Sequence, residues 1–93
     1  MAAERRVALC VARFYEELAQ RLEQGARDAL SRGGVDAVEA FSVPGAFELP
    51  LVARYAVQSG RFDAVVCLGA VIRGDTDHYD YVCAGAADGI MRV

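Results

Sequence analysis

Three short apolar runs alternate with two stretches of helical periodicity, and that alternation constrains the fold more than any other feature of the chain. Val7–Ala12 (VALCVA) is rich in strand formers, is bounded by Arg6 and Arg13, and predicts a strand buried on both faces. Between Glu16 and Arg32 the residues Leu18, Leu22, Ala26, Ala29 and Leu30 recur at helical spacing, with Glu17/Arg21 and Glu23/Arg27 as i,i+4 charge pairs, and Gly33-Gly34 ends the helix. Asp36–Val43 alternates apolar and polar residues up to Pro44-Gly45, which predicts a second strand at or near a sheet edge. Helical spacing resumes from Phe47 to Ser59, with Pro50 in a tolerant first turn and Gly60 at the end. Phe62–Ile72 (FDAVVCLGAVI) is the most apolar run and predicts the third strand, and Tyr79–Val93 predicts a third helix weakened by Gly85 and Gly89.

Strand and helix in strict alternation imply a parallel sheet with right-handed crossovers, in a three-layer α/β arrangement with helices on both faces. A strand order of 2-1-3 would leave the third strand at an edge, although its composition calls for neighbours on both sides. The expectation is a single domain over residues 1–93 that lacks a fourth strand, either because the chain is a fragment or because another polypeptide supplies that strand. The ending Met91-Arg92-Val93, without a capping signal, fits a fragment cut within an element.

Composition excludes several function classes. No apolar run approaches the roughly 20 residues of a membrane helix, and the apolar stretch after Met1–Arg6 is too short for a secretion signal. A cytoplasmic, soluble protein is expected. Thirteen acidic and ten basic residues give a net charge of −3 with the bases scattered, which disfavours nucleic acid and favours a small ligand. Cys10 and Cys67 sit in apolar runs as small hydrophobes, and Cys83 lacks a second ligand at metal spacing, so no metal site is expected. The chain has no lysine, so an enzyme-borne Schiff base would be impossible within it.

In open α/β sheets ligands bind beyond the carboxyl ends of the strands, here Arg13-Phe14, Val43–Glu48 and Arg73–His78. Phe14 could stack on a planar ring or serve as core or staple. Gly45 permits close backbone approach, the helix amides after it could meet polar ligand atoms, and Glu48 either accepts from hydroxyls or sits as a first-turn charge beside the helix dipole. Gly74-Asp75-Thr76-Asp77-His78 could form an anion nest or a helix cap, and His78 is either a proton carrier near neutral pH or a bystander.

Taken together, Arg13-Phe14, VPGAFELP at Val43–Pro50 and LGAVIRGDTDHYDYV at Leu68–Val82 closely resemble the 6,7-dimethyl-8-ribityllumazine synthase family of riboflavin biosynthesis, in register over nearly the whole chain. The resemblance implies a flavodoxin-like α/β subunit that condenses 5-amino-6-(ribitylamino)uracil with 3,4-dihydroxy-2-butanone 4-phosphate, without metal or organic cofactor. The imine would form on the substrate's own amine, in keeping with the absence of lysine.

By the same resemblance Phe14 stacks on the uracil ring, Gly45, Ala46, Phe47 and Glu48 contact the ribityl chain, and Val71 and Ile72 meet the heterocycle edge. Gly74, Asp75 and Thr76 hold the phosphate, and His78 is the catalytic proton-transfer group. The family works as homo-oligomers, pentameric rings that in some members build icosahedral shells, with sites between adjacent subunits; riboflavin synthase is a further candidate partner. Tyr15 departs from the asparagine common at its position. A fourth strand, two last helices, a phosphate-binding arginine and a neighbour-supplied aromatic have no counterpart here, so the 93 residues alone are expected to be inactive. Two competing readings are a ribityl-pyrimidine or flavin carrier without chemistry and a shell protein whose assembly matters more than its turnover.

Overall fold

The computed structural model describes residues 4–72 and 79–93. Three parallel strands, β1 (Arg6–Ala12), β2 (Ala37–Val43) and β3 (Ala64–Leu68), form one sheet in the order β2-β1-β3. The central strand carries the most apolar neighbours: Ala8, Leu9, Cys10 and Val11 are fully buried. Its register places Cys10 beside Phe41 on one side and beside Cys67 on the other. At the amino end the Arg6 N–H donates to the Asp63 carboxylate at 2.8 Å, and the Asp63 N–H donates to the Arg6 carbonyl at 2.7 Å.

Strand alternation splits the core in two. Val7, Leu9 and Val11 face α1 (Glu16–Arg32), where Ala19 is buried and Ala26 and Leu30 pack alongside. Cys10 and Ala12 face the opposite layer, built from a 3-10 turn (Ala46–Glu48), α2 (Leu49–Gln58) and α3 (Tyr79–Arg92), with Ala46, Leu49 and Ala86 at its centre. The three layers and parallel sheet expected from the alternation are thus present, with helices on both faces. β2 is an edge strand, as its polar alternation predicts.

Local signals explain most boundaries. Gly33 closes α1 and Gly34 follows at φ +84°, a left-handed conformation that glycine reaches without a Cβ penalty. Pro50 lies in the first turn of α2, where its missing N–H costs no intrahelical bond. The Ser59 hydroxyl caps the far end by donating to the Ala56 carbonyl at 2.6 Å. Of the two charge pairs anticipated on α1, Glu23–Arg27 forms at 3.0 Å; Glu17–Arg21 is not an ion pair.

Two boundaries differ from the sequence reading. The second helix does not begin at Phe47; a 3-10 turn over Ala46–Glu48 precedes the α-helix. The third strand ends at Leu68 rather than Ile72. Beyond Val11, paired with Leu68, β1 supplies only Ala12 before Arg13 turns its N–H to the Val43 carbonyl at 2.9 Å, so residues 70–72 have no β1 partner left. Among the described residues β3 pairs with β1 alone.

Candidate active site

The ends of all three strands open onto one cavity of about 300 Å³. Phe14 and Tyr15 come from the turn after β1; Pro44, Gly45, Ala46, Phe47 and Glu48 follow β2; Ala70 and Val71 follow β3; and Val82 reaches in from α3. That is the low end of the size range of small-molecule sites, at the place where a 2-1-3 sheet reverses its winding. Six of the sequence-derived candidates therefore share one cavity: Phe14, Gly45, Ala46, Phe47, Glu48 and Val71. Ile72 is exposed and not part of the lining. Gly74, Asp75, Thr76 and His78 lie outside the described residues.

The lining is mostly apolar, with two exposed rings, Phe14 at 62% and Phe47 at 58%. Side chains alternate along an extended segment, so Phe14 turns to the cavity side while Arg13 turns to the α1 side. The Phe14 ring meets Tyr15 edge to face, with centroids 4.9 Å apart at 77°. An exposed aromatic face backed by a fixed neighbour suits stacking on a flat ring.

Glu48 is held by the turn it belongs to. Its Oε1 accepts from the Gly45 N–H at 2.9 Å, and the Gly45 carbonyl accepts from the Glu48 N–H at 3.1 Å. This reciprocal pair satisfies amides that a helix start leaves unpaired, and it orients the carboxylate beside the cavity. The structural and ligand-binding readings of Glu48 are therefore compatible, since a carboxylate has capacity to accept beyond the one bond made by Oε1.

Arg13 has a role that the sequence reading did not separate from that of Phe14. Its Nε donates to Ser42 Oγ at 2.8 Å, Nη1 lies 3.4 Å from Glu16, and Nη2 is ion-paired with Glu23. Glu23 also pairs with Arg27, and the hydrogen bonds from the two guanidinium groups hold its carboxyl below the ordinary carboxylate range despite partial burial. None of these side chains lines the cavity; they lie behind it, on the α1 side of the sheet.

Tyr15, Pro44, Ala70 and Val82 complete the lining beyond the residues singled out by role. Three of them stand inside the motifs VPGAFELP and LGAVIRGDTDHYDYV, so the signal was present, but apolar residues in a motif are indistinguishable from core until the fold places them. Val82 comes from the first turns of α3, and its inward direction follows from the packing of that helix.

The family model described as 6,7-dimethyl-8-ribityllumazine synthase matches residues 4–93. The chain belongs to the 6,7-dimethyl-8-ribityllumazine synthase family. It is 52% identical over 91 residues to a 6,7-dimethyl-8-ribityllumazine synthase of Desulfatibacillum aliphaticivorans, covering 96% of this chain and 59% of that protein. It is 48% identical over 93 residues to the protein of the same name from Deinococcus radiodurans, covering 98% of this chain and 60% of that protein. The chain thus spans about three fifths of the length of these relatives. Each described stretch of the lumazine synthase resemblance contributes to the cavity wall: Phe14, Pro44–Glu48, Ala70 with Val71, and Val82.

Proposed function

We propose that this chain forms the crevice of a lumazine synthase subunit, which condenses 5-amino-6-(ribitylamino)uracil with 3,4-dihydroxy-2-butanone 4-phosphate to 6,7-dimethyl-8-ribityllumazine. The observation that carries the proposal is the convergence of Phe14, Gly45–Glu48 and Val71 on one apolar cavity in a chain of this family. In this reading Phe14 stacks on the pyrimidine, Gly45, Ala46, Phe47 and Glu48 hold the ribityl chain, and Val71 and Ile72 flank the heterocycle. Gly74, Asp75 and Thr76 take the phosphate, and His78 shuttles the proton in imine formation and phosphate loss. Much of the acceleration comes from holding two reactants in register, because the amine that attacks belongs to the substrate.

The working state is a cytoplasmic homo-oligomer with the site between subunits, a pentamer or an icosahedral assembly of pentamers. Leu51 and Tyr55 on α2 and Tyr81 and Met91 on α3 are all more than half exposed, more apolar surface than an isolated subunit needs. The 93 residues form one domain that is completed by sequence corresponding to the remaining two fifths of its relatives.

The deciding experiment mixes the full-length subunit, including the part that corresponds to the remaining two fifths of its relatives, with both substrates and follows the absorbance and fluorescence of the lumazine. Product formation that falls in kcat more than in substrate affinity on His78→Ala supports the synthase. Binding of the pyrimidine without product overturns it in favour of a carrier.

A further inference from the structure

Behind the cavity, one side chain joins three separate elements. Arg13 follows β1, its Nε donates to Ser42 near the carboxyl end of β2, and its guanidinium nitrogens engage Glu16, the first residue of α1, and Glu23, about two turns further along. The residues it joins are next to the cavity in sequence: Phe14 and Tyr15 directly follow Arg13, and Pro44 and Gly45 stand two and three residues after Ser42. The Arg13 N–H on the Val43 carbonyl adds a backbone link between the same two strand ends. Both side chains of the central pair are mostly sheltered, Arg13 at 24% and Glu23 at 18% exposure, so the fork works in a partly desolvated setting where such pairs are stronger than on an open surface.

We propose that Arg13 is a positioning residue that locks the Phe14–Tyr15 wall and the Pro44–Gly45 wall of the cavity into a single geometry. The proposal rests on that cavity being the ribityl-pyrimidine site. The Tyr15 carbonyl is tied to α1 by the Ala19 N–H and Gly45 to its own turn by Glu48, whereas Arg13 links the two walls to each other, and site loops need such support to hold a ring within a fraction of an ångström. Arg13 touches no cavity atom; it acts through Ser42, Glu16 and Glu23. A lysine replaces it only in part, since one ammonium lacks the rigid fork that meets three partners at once.

The test titrates the full-length subunit with 5-amino-6-(ribitylamino)uracil alone, reading the dissociation constant and, in parallel, Tm. Arg13→Gln is expected to weaken binding about tenfold, Glu23→Gln about threefold, and Arg13→Lys to fall between Arg13→Gln and the unaltered protein. Phe14→Ala serves as the control for the cavity. If the unaltered chain binds and Phe14→Ala does not, yet folded Arg13→Gln and Glu23→Gln bind normally whatever their Tm, Arg13 is merely structural and the proposal falls. If the unaltered chain itself does not bind, the reading of the cavity fails and the proposal with it. Should Arg13→Gln not fold, Glu23→Gln decides, because it leaves Arg13 on Ser42 and Glu16.

Discussion

Gly85 of α3 lies so close to Phe47 that a Cβ added there would sit 2.4 Å from the ring's Cε2 and 2.8 Å from its Cδ2. One turn further along, a Cβ at Gly89 would sit 2.5 Å from Pro50 Cγ. The inward face of α3 thus includes Gly85, Ala86 and Gly89, and their smallness lets the helix close onto the 3-10 turn and the start of α2.

These two glycines have different consequences. Phe47 is an exposed side chain able to rotate, so Gly85→Ala is expected to swing the ring and alter ligand affinity. Its stability change should stay within about 1 kcal/mol, since alanine's helix propensity offsets the crowding. Pro50 is a rigid ring on a helix, so Gly89→Ala must push α3 away, at a net cost of about 1–3 kcal/mol. Denaturant titration of both variants, with pyrimidine binding measured on each, separates the two effects.

Glu48 closes its own turn through Gly45. Glu48→Gln keeps an acceptor for the Gly45 N–H and should fold normally, whereas Glu48→Ala leaves that amide unsatisfied and should lose about 1 kcal/mol. Both should weaken binding of a polyhydroxyl chain if the carboxylate accepts from it. Thermal melts and calorimetric titration distinguish the structural loss from the binding loss.

Glu23 makes stability sensitive to acid. Its carboxyl is held down by Arg13 and Arg27, so the folded state favours the ionised form more than the unfolded chain does. The resulting stabilisation is complete above the unfolded value, near 4.5, and is lost as pH falls through the lowered folded value. Tm recorded from neutral pH into the acid range should show a decline that Glu23→Gln makes shallower. An unchanged acid slope in that variant would place the sensitivity elsewhere.

Burial should set which cysteines react first. Cys10 is fully buried opposite Cys67, and burial with that second thiol pushes it up to about 11, so it carries almost no thiolate at neutral pH. Burial also raises Cys67. Iodoacetamide at neutral pH should label the half-buried Cys67 and Cys83 first and leave Cys10 untouched until the protein unfolds. Mass spectrometry of the labelled peptides checks the order; early labelling of Cys10 would mean the central strand is open to solvent.

Much was legible in residues close together along the chain. The apolar run Val7–Ala12, the periodicity of Glu16–Arg32 and the glycines at positions 33 and 34 predict their elements nearly to the residue, because strand burial, helix amphipathicity and glycine's left-handed freedom are local properties. Motifs at Val43–Pro50 and Leu68–Val82 marked the family, and the carboxyl-end rule for parallel sheets named the turns after β1 and β2 that line the cavity, while the third segment it named, Arg73–His78, lies outside the described residues.

What tertiary structure alone decided depends on distance rather than order. The early end of β3 at Leu68 reflects β1 leaving the sheet, a fact about its partner. Arg13 could have pointed at a ligand as well as behind one; only the folded positions of Ser42, Glu16 and Glu23 give its guanidinium a place to go. Gly85 and Gly89 read as weak points of a helix until Phe47 and Pro50 are brought against them. Local sequence determines which backbone conformations are cheap, while contacts between residues dozens apart depend on how the layers settle, and no pattern along one segment encodes that.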